Sequence, residues 1–267
     1  MGGVLYLLAG FFCAPPRPKV ALYPQKSCDE KSDRTRPISV HMISTRNTHL
    51  IILFWRILAE MTDISGYKYS HAGQTFAHEY LLPTLREILL AKYPDDAQTR
   101  VFELGCGNGS VSHALSEMGF AMTGVDPSRE GLQIANERYP NLNLHLGSAY
   151  DSLAETYGRF PVVVSLEVVE HVYAPRDYAA TVYSLLEDGG TAIISTPYHG
   201  YWKNLAMAAT GKLDGHFTAL WDNGHIKFWS FQTLSQLLEE AGFRSVTFRR
   251  VGRIPALAKS MIAIATK

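Results

Sequence analysis

This chain of 267 residues is short of cysteine, of unbalanced charge and of long apolar runs. Its three cysteines, Cys13, Cys28 and Cys106, are too few and too scattered for a disulfide framework or a cysteine-based zinc site, so a reducing, cytoplasmic setting is expected. Lys plus Arg number 25 and Asp plus Glu number 25. With no net field to gather nucleic acid, the expected partner is a small or lipidic molecule. No run reaches the roughly 18 apolar residues that cross a bilayer. Val4 to Phe12 imitates a signal-peptide core, but no basic residue precedes it and Pro15, Pro16 and Pro18 follow at once.

What the chain has is apolar material, 46% of its residues, enough for one large α/β core. Residues 1–60 read as a poorly structured extension. The stretch from Pro15 to Pro37 is rich in Pro, Lys, Arg and Ser without usable periodicity, and His49 to Leu58 adds a short apolar patch. Met61 opens an ordinary protein start, so the catalytic domain is expected over 61–267.

That domain is organised around Val101 to Ser110, Val-Phe-Glu-Leu-Gly-Cys-Gly-Asn-Gly-Ser. An apolar run breaks into glycines at 105, 107 and 109, the pattern of strand, glycine loop and helix. Missing Cβ atoms there let a ligand approach the backbone. The spacing is not Gly-x-Gly-x-x-Gly, and Glu103 ahead of the first glycine would repel a pyrophosphate while suiting an ammonium or sulfonium centre. This disfavours a nicotinamide dehydrogenase. Asp126 ends a second strand 21 residues after the first glycine and suits ribose hydroxyls.

Helical spacing marks Ala77, Leu81, Leu85, Ile88 and Leu89 within 73–92, then Val111, Ala114, Leu115 and Met118, then Leu234, Leu237, Leu238 and Ala241 capped by Ser230. A helix around Ala179, Val182 and Leu186 is expected to stop at Asp188-Gly189-Gly190. Strands are expected at 101–104, 121–126, 142–147, 160–166, 191–196, 243–249 and 260–266. The order predicts a doubly wound, mostly parallel seven-stranded sheet, Rossmann-like, with ligands at the carboxyl ends of its strands.

The glycine pattern with Glu103 and Asp126 resembles class I S-adenosylmethionine (SAM) methyltransferases. The segment Ser165 to Val172, Ser-Leu-Glu-Val-Val-Glu-His-Val, resembles the UbiG-type O-methyltransferases of ubiquinone biosynthesis. The resemblance implies that Glu103, Gly105, Gly107 and Asp126 hold SAM, that Leu166, Ser148 and Ala149 border its adenine, and that a leading helix brings Tyr67, Tyr69, His78 and Tyr80 near it. It also implies a divalent cation such as Mg²⁺ on Glu167, Glu170 and His171, two carboxylates sharing one face if that turn is helical. The competing reading makes Glu170 and His171 a pocket rim without metal. His171 is the leading base for a phenol, with Glu167 also facing the acceptor, and an unassisted proximity mechanism stays open. Cys106 reads as a small filler.

Residues 197–229 hold three of the four tryptophans and three of the ten histidines. They read as an aromatic substrate lid for a flat hydroxylated or quinone-like acceptor. His225-Ile226-Lys227-Phe228-Trp229 resembles the quinone enzymes, which makes His225 a catalytic candidate, whereas the surroundings of His199 and His216 depart from them. Tyr201, Trp202, Leu205 and Met207 also suit peripheral contact with a membrane. N-methylation, sugar methylation and a non-catalytic SAM-binding partner protein stay open at this point.

Overall fold

The computed structural model describes residues 69, 71–94, 98–222 and 224–267. The expected extension over 1–60, Met61 and Tyr67 lie outside the described residues.

Seven strands form one sheet: β1 Arg100–Leu104, β2 Ala121–Asp126, β3 Asn143–Leu146, β4 Phe160–Leu166, β5 Leu186–Pro197, β6 Ser245–Val251 and β7 Ser260–Thr266. Their order is β3-β2-β1-β4-β5-β7-β6. All neighbours are parallel except β7, which runs antiparallel to both β5 and β6. Among the described residues the helices are α1 Phe76–Lys92, α2 Ser110–Ser116, α3 Arg129–Arg138, α4 Leu153–Tyr157, α5 Pro175–Leu185, α6 Tyr201–Ala209, α7 Leu213–Phe217 and α8 Phe231–Glu240.

Helices cover both faces of the sheet, which is why its central strands read as continuous apolar runs. Side chains alternate across the pleat. Val101, Val162 and Val164 pack with Leu81, Leu85 and Leu89 of α1 and Leu115 of α2. Phe102, Leu104 and Val163 point the other way, into Tyr178 and Val182 of α5 and Leu234 and Leu238 of α8. Cys106 is 4% exposed, with burial pushing its thiol up, and Gly124 makes room for it: a Cβ there would lie 2.9 Å from the Cys106 Cβ. It is a filler, as expected.

Local signals fix several helix ends. The Ser128 hydroxyl accepts from Gly131 N at 3.0 Å and opens α3. Ser230 and Thr233 form a reciprocal capping pair at the start of α8. Several boundaries differ from the sequence reading, among them β6, expected over 243–249 and found at Ser245–Val251. α5 ends at Leu185, and Asp188, Gly189 and Gly190 lie within β5, where a register irregularity opposite Phe160 and Val162 absorbs them and Gly189 takes φ +79. The segment 197–229 is not a bare loop, since it contains α6 and α7. Among the described residues, no helix is long and apolar enough to cross a membrane.

Candidate active site

The carboxyl ends of β1, β2 and β4 open onto a cavity of about 620 Å³. Its walls include Glu103, Gly105, Gly107, Asp126, Ser148, Ala149, Leu166, Glu167, His171 and His225. Glu170, Tyr80, His199 and His216, also singled out from sequence, do not line it.

The glycine loop is shaped by close approach. Gly105, at φ +88, faces Val168 so tightly that a Cβ would overlap the valine methyl. Gly109, at φ +74, sits where a Cβ would come within 3.0 Å of Ala135 and Leu144. The third glycine thus comes early because it must turn the chain into α2 against α3 and β3. Asn108 ties the loop to the segment before α1, its Nδ2 donating to His71 O at 2.8 Å and Gly73 O at 2.9 Å. Tyr69 lies against Gly107 and, with His78, lines the cavity, whereas the Tyr80 hydroxyl is paired with Ser260 Oγ at 3.1 Å.

Two acids stand at the strand ends. Glu103 is 2% exposed and accepts a hydrogen bond from the Ser112 hydroxyl. Burial pushes its carboxyl up to about 7, with the charge of Asp126 adding to the rise and Ser112 opposing it. The Asp126 oxygens accept from Gly107 N and Ser128 N, both at 2.8 Å, which fixes the carboxylate at the rim of the glycine loop. Asp151 Oδ2 accepts from Ser148 N at 2.7 Å, so that acid braces the β3 turn.

After Leu166 the chain turns sharply. Glu167 has φ +54, a left-handed conformation that costs a non-glycine residue about 1 kcal/mol or more. Its Oε1 accepts from Ser195 Oγ at 2.8 Å and its Oε2 from Ser260 Oγ at 3.4 Å. Burial raises this carboxyl to about 7, opposed by those hydroxyls and by Lys203. Residues 169–171 form a turn rather than a helix, with His171 N donating to Val168 O at 2.9 Å. Glu167 and Glu170 therefore do not share a helical face, because the backbone leaves the helical region at residue 167.

Glu170 is 1% exposed, its carboxyl lies against the Thr196 hydroxyl without a well-formed hydrogen bond, and burial followed by the charge of Glu167 holds it well above the usual range. Its carbonyl is busier, accepting from Ile226 N at 2.9 Å and Lys227 N at 3.0 Å. Trp229 Nε1 donates to Val169 O at 3.0 Å and completes a latch between the segment before α8 and the turn after β4. The latch sets the His225 ring 4.8 Å from that of His171, with Trp221 5.7 Å from His171. His171 Nδ1 lies 3.2 Å from Gly224 O. A carbonyl only accepts, so Nδ1 is the donor of that pair. Burial, followed by His171 and His216, lowers His225 to about 4.

The triad that could hold a metal also changes. Glu170, His171 and His225 each bring one ligand atom within 4.8 Å of the others, while Glu167 is turned to its serines. His199 and His216 do not join the cavity; their rings pair at 5.1 Å beyond it. The pairing of His171 with His225 depends on backbone hydrogen bonds between segments more than 50 residues apart, for which no local sequence signal exists.

Residues 74–247 match the family described as Methyltransferase domain. A ubiquinone biosynthesis O-methyltransferase from Caulobacter sp. (strain K31) is 34% identical over 141 residues, covering 49% of this chain and 56% of the relative. One from Ruegeria sp. (strain TM1040) is 30% identical over 154 residues, covering 56% of this chain and 62% of the relative. The chain thus spans under two thirds of the length of these relatives. Among solved structures, an S-adenosylmethionine-dependent methyltransferase from Mesorhizobium loti superposes with a TM-score of 0.53 at 18% identity, over 69% of this chain and 96% of that one. A SAM-dependent methyltransferase from Thermotoga maritima, described as a possible histamine N-methyltransferase, gives 0.52 at 17% identity, over 82% and 96%. These likenesses concern the fold, the expected class I sheet. With the family match spanning more than half of its length, the chain belongs to the methyltransferase domain family.

Proposed function

We propose that this protein is a SAM-dependent O-methyltransferase of a hydroxylated aromatic small molecule. One observation carries the reading: the glycine-lined cradle with its strand-end acids and the His171–His225 pair are walls of a single cavity. The cradle fits SAM on its own geometry. Gly105 and Gly107 leave the loop backbone open, Asp126 stands at the rim for ribose hydroxyls, Ser148, Ala149 and Leu166 offer an edge for the adenine, and Glu103 is a buried acid facing a cationic ligand. When bound, SAM supplies a methyl group on a sulfonium that departs as a neutral thioether.

The chain's own part is alignment and proton removal. A phenol with a pKa near 10 must lose its proton as its oxygen bonds to the methyl carbon and the carbon–sulfur bond breaks. His171 Nε2 takes that proton, and its Nδ1–H stays on Gly224 O. His225, held neutral, supports the imidazolium that forms without repelling it. Trp221 and Ile226 exclude water from the acceptor side, the role of a lid over 197–229.

The expected Mg²⁺ does not fit the donor set. One carboxyl and two imidazoles are gathered, whereas Mg²⁺ takes oxygen ligands. Deprotonation by His171 needs no metal. The exposed Tyr201, Trp202 and Leu205 on α6 support peripheral membrane contact as a second feature of the same enzyme.

The test is incubation of the full chain with methyl-labelled SAM and a panel of phenols, amines and sugars. Label on a phenolic oxygen supports the reading. SAM binding by calorimetry with no transfer to any phenol overturns it in favour of a binding module or another acceptor.

A further inference from the structure

A second cavity, of about 450 Å³, lies beside the first, lined by His199, Asn204, Phe217, Ala219, His225 and Phe228. His225 is a wall of both cavities, so the second begins one imidazole away from the base. Its surface is aromatic and polar rather than aliphatic. The Phe228 ring stands edge-on to Phe217 at 4.9 Å and to His199 at 5.1 Å, and His199 lies parallel to Phe217 at 6.0 Å. Asn204 Oδ1 is buried and lies against His199 without a well-formed hydrogen bond. The charge of Lys203 reaches His199 and His216, both lowered mainly by burial, so this side of the site is neutral to positive.

Resting on the O-methyltransferase reading, we propose that this cavity is a second acceptor subsite that takes a flat hydroxylated ring joined to the ring being methylated, which makes the acceptor a two-ring phenol. Ring edges and faces complement such a group, and its hydroxyl supplies the proton that Asn204 Oδ1 is missing. An isoprenoid chain offers no proton to that oxygen. A cationic group would meet the field of Lys203.

The test compares catechol, luteolin (a flavone that carries a catechol ring) and a geranyl-substituted catechol as acceptors for the full chain. Luteolin is expected to give the highest kcat/KM, and Asn204→Leu to lower the ratio of luteolin to catechol about tenfold through a KM effect. Phe228→Leu, which keeps bulk but removes the ring, is expected to move the ratio the same way and serves if Asn204→Leu does not fold. A preference for the geranyl compound, no preference for luteolin, or a ratio unmoved in the folded variants overturns the subsite while leaving O-methylation standing. If none of the three is methylated, the reading above fails for phenols, and calorimetry of luteolin decides the subsite alone: affinity weakened by Asn204→Leu supports it and affinity unchanged overturns it.

Discussion

Replacing Glu103 by Gln separates what this acid costs the fold from what it gives the ligand. The carboxyl is 2% exposed, and burial raises it from 4.5 to about 7. A folded-state pKa above the unfolded one means that, between these values, the folded chain keeps a proton that the unfolded chain has lost. Its contribution is fully present below about pH 4.5 and is lost as pH rises through about 7. Integrating the two titrations, the ligand-free protein loses about 2.5 kcal/mol from this group between pH 5 and pH 8. Gln has the same shape, can accept from Ser112 and does not titrate. Urea unfolding of both proteins without SAM, at pH 5 and pH 8, isolates the effect, because other groups cancel in the difference. The Gln variant should gain about 2.5 kcal/mol on the parent over that interval. Equal pH dependence in the two proteins would refute a buried, protonated Glu103. With SAM present the order should reverse in affinity: a cationic ligand drives Glu103 to ionise, so binding at pH 6.5 should release about three quarters of a proton from the parent, and the variant should lack that release. Calorimetry in buffers of different ionisation enthalpy reads both numbers.

Asp126→Ala should weaken SAM binding by about 1.5 to 3 kcal/mol, the worth of hydrogen bonds to a charged group, and unchanged affinity in a calorimetric titration would remove the ribose assignment. His171→Ala should slow methyl transfer to a phenol about a hundredfold or more while SAM affinity holds; turnover at the parental rate would show that alignment alone suffices. Gly105→Ala should lower both stability and SAM affinity, since its Cβ would run into Val168 at a left-handed backbone position. Thermal melts with and without SAM check that pair of effects, and a variant that melts and binds like the parent would contradict the tight approach of the loop to Val168.

Elements whose cause is local were readable from the chain. The glycine loop, the acid at the end of β2 and the serine caps of α3 and α8 are fixed by residues a few positions apart, so their chemistry is written beside them. The central strands were readable because helices on both sides of the sheet make them apolar throughout. What failed depended on partners far away. Asp188-Gly189-Gly190 looks like a loop, and pairing with β4 draws it into β5 instead. The Glu-x-x-Glu-His spacing looks like one helical face, and the left-handed turn at Glu167 separates its two acids.

That turn also decides what the acids can do. By leaving the helical region, residue 167 sends its carboxyl to Ser195 and Ser260 at the ends of β5 and β7, and Glu170 is left buried with no well-formed hydrogen bond to its oxygens. The carbonyl of Glu170 meanwhile accepts from Ile226 and Lys227 and so carries His225 to His171. The motif therefore acts through its backbone as much as through its side chains. Its first acid braces the sheet, and its second anchors the acceptor wall. Its histidine, with the proton placed by Gly224, faces the cavity. Under the proposed reaction, substitutions at Glu170 that keep the carbonyl should leave the latch intact. A loss of turnover in Glu170→Gln would then trace to the buried carboxyl itself rather than to the position of His225.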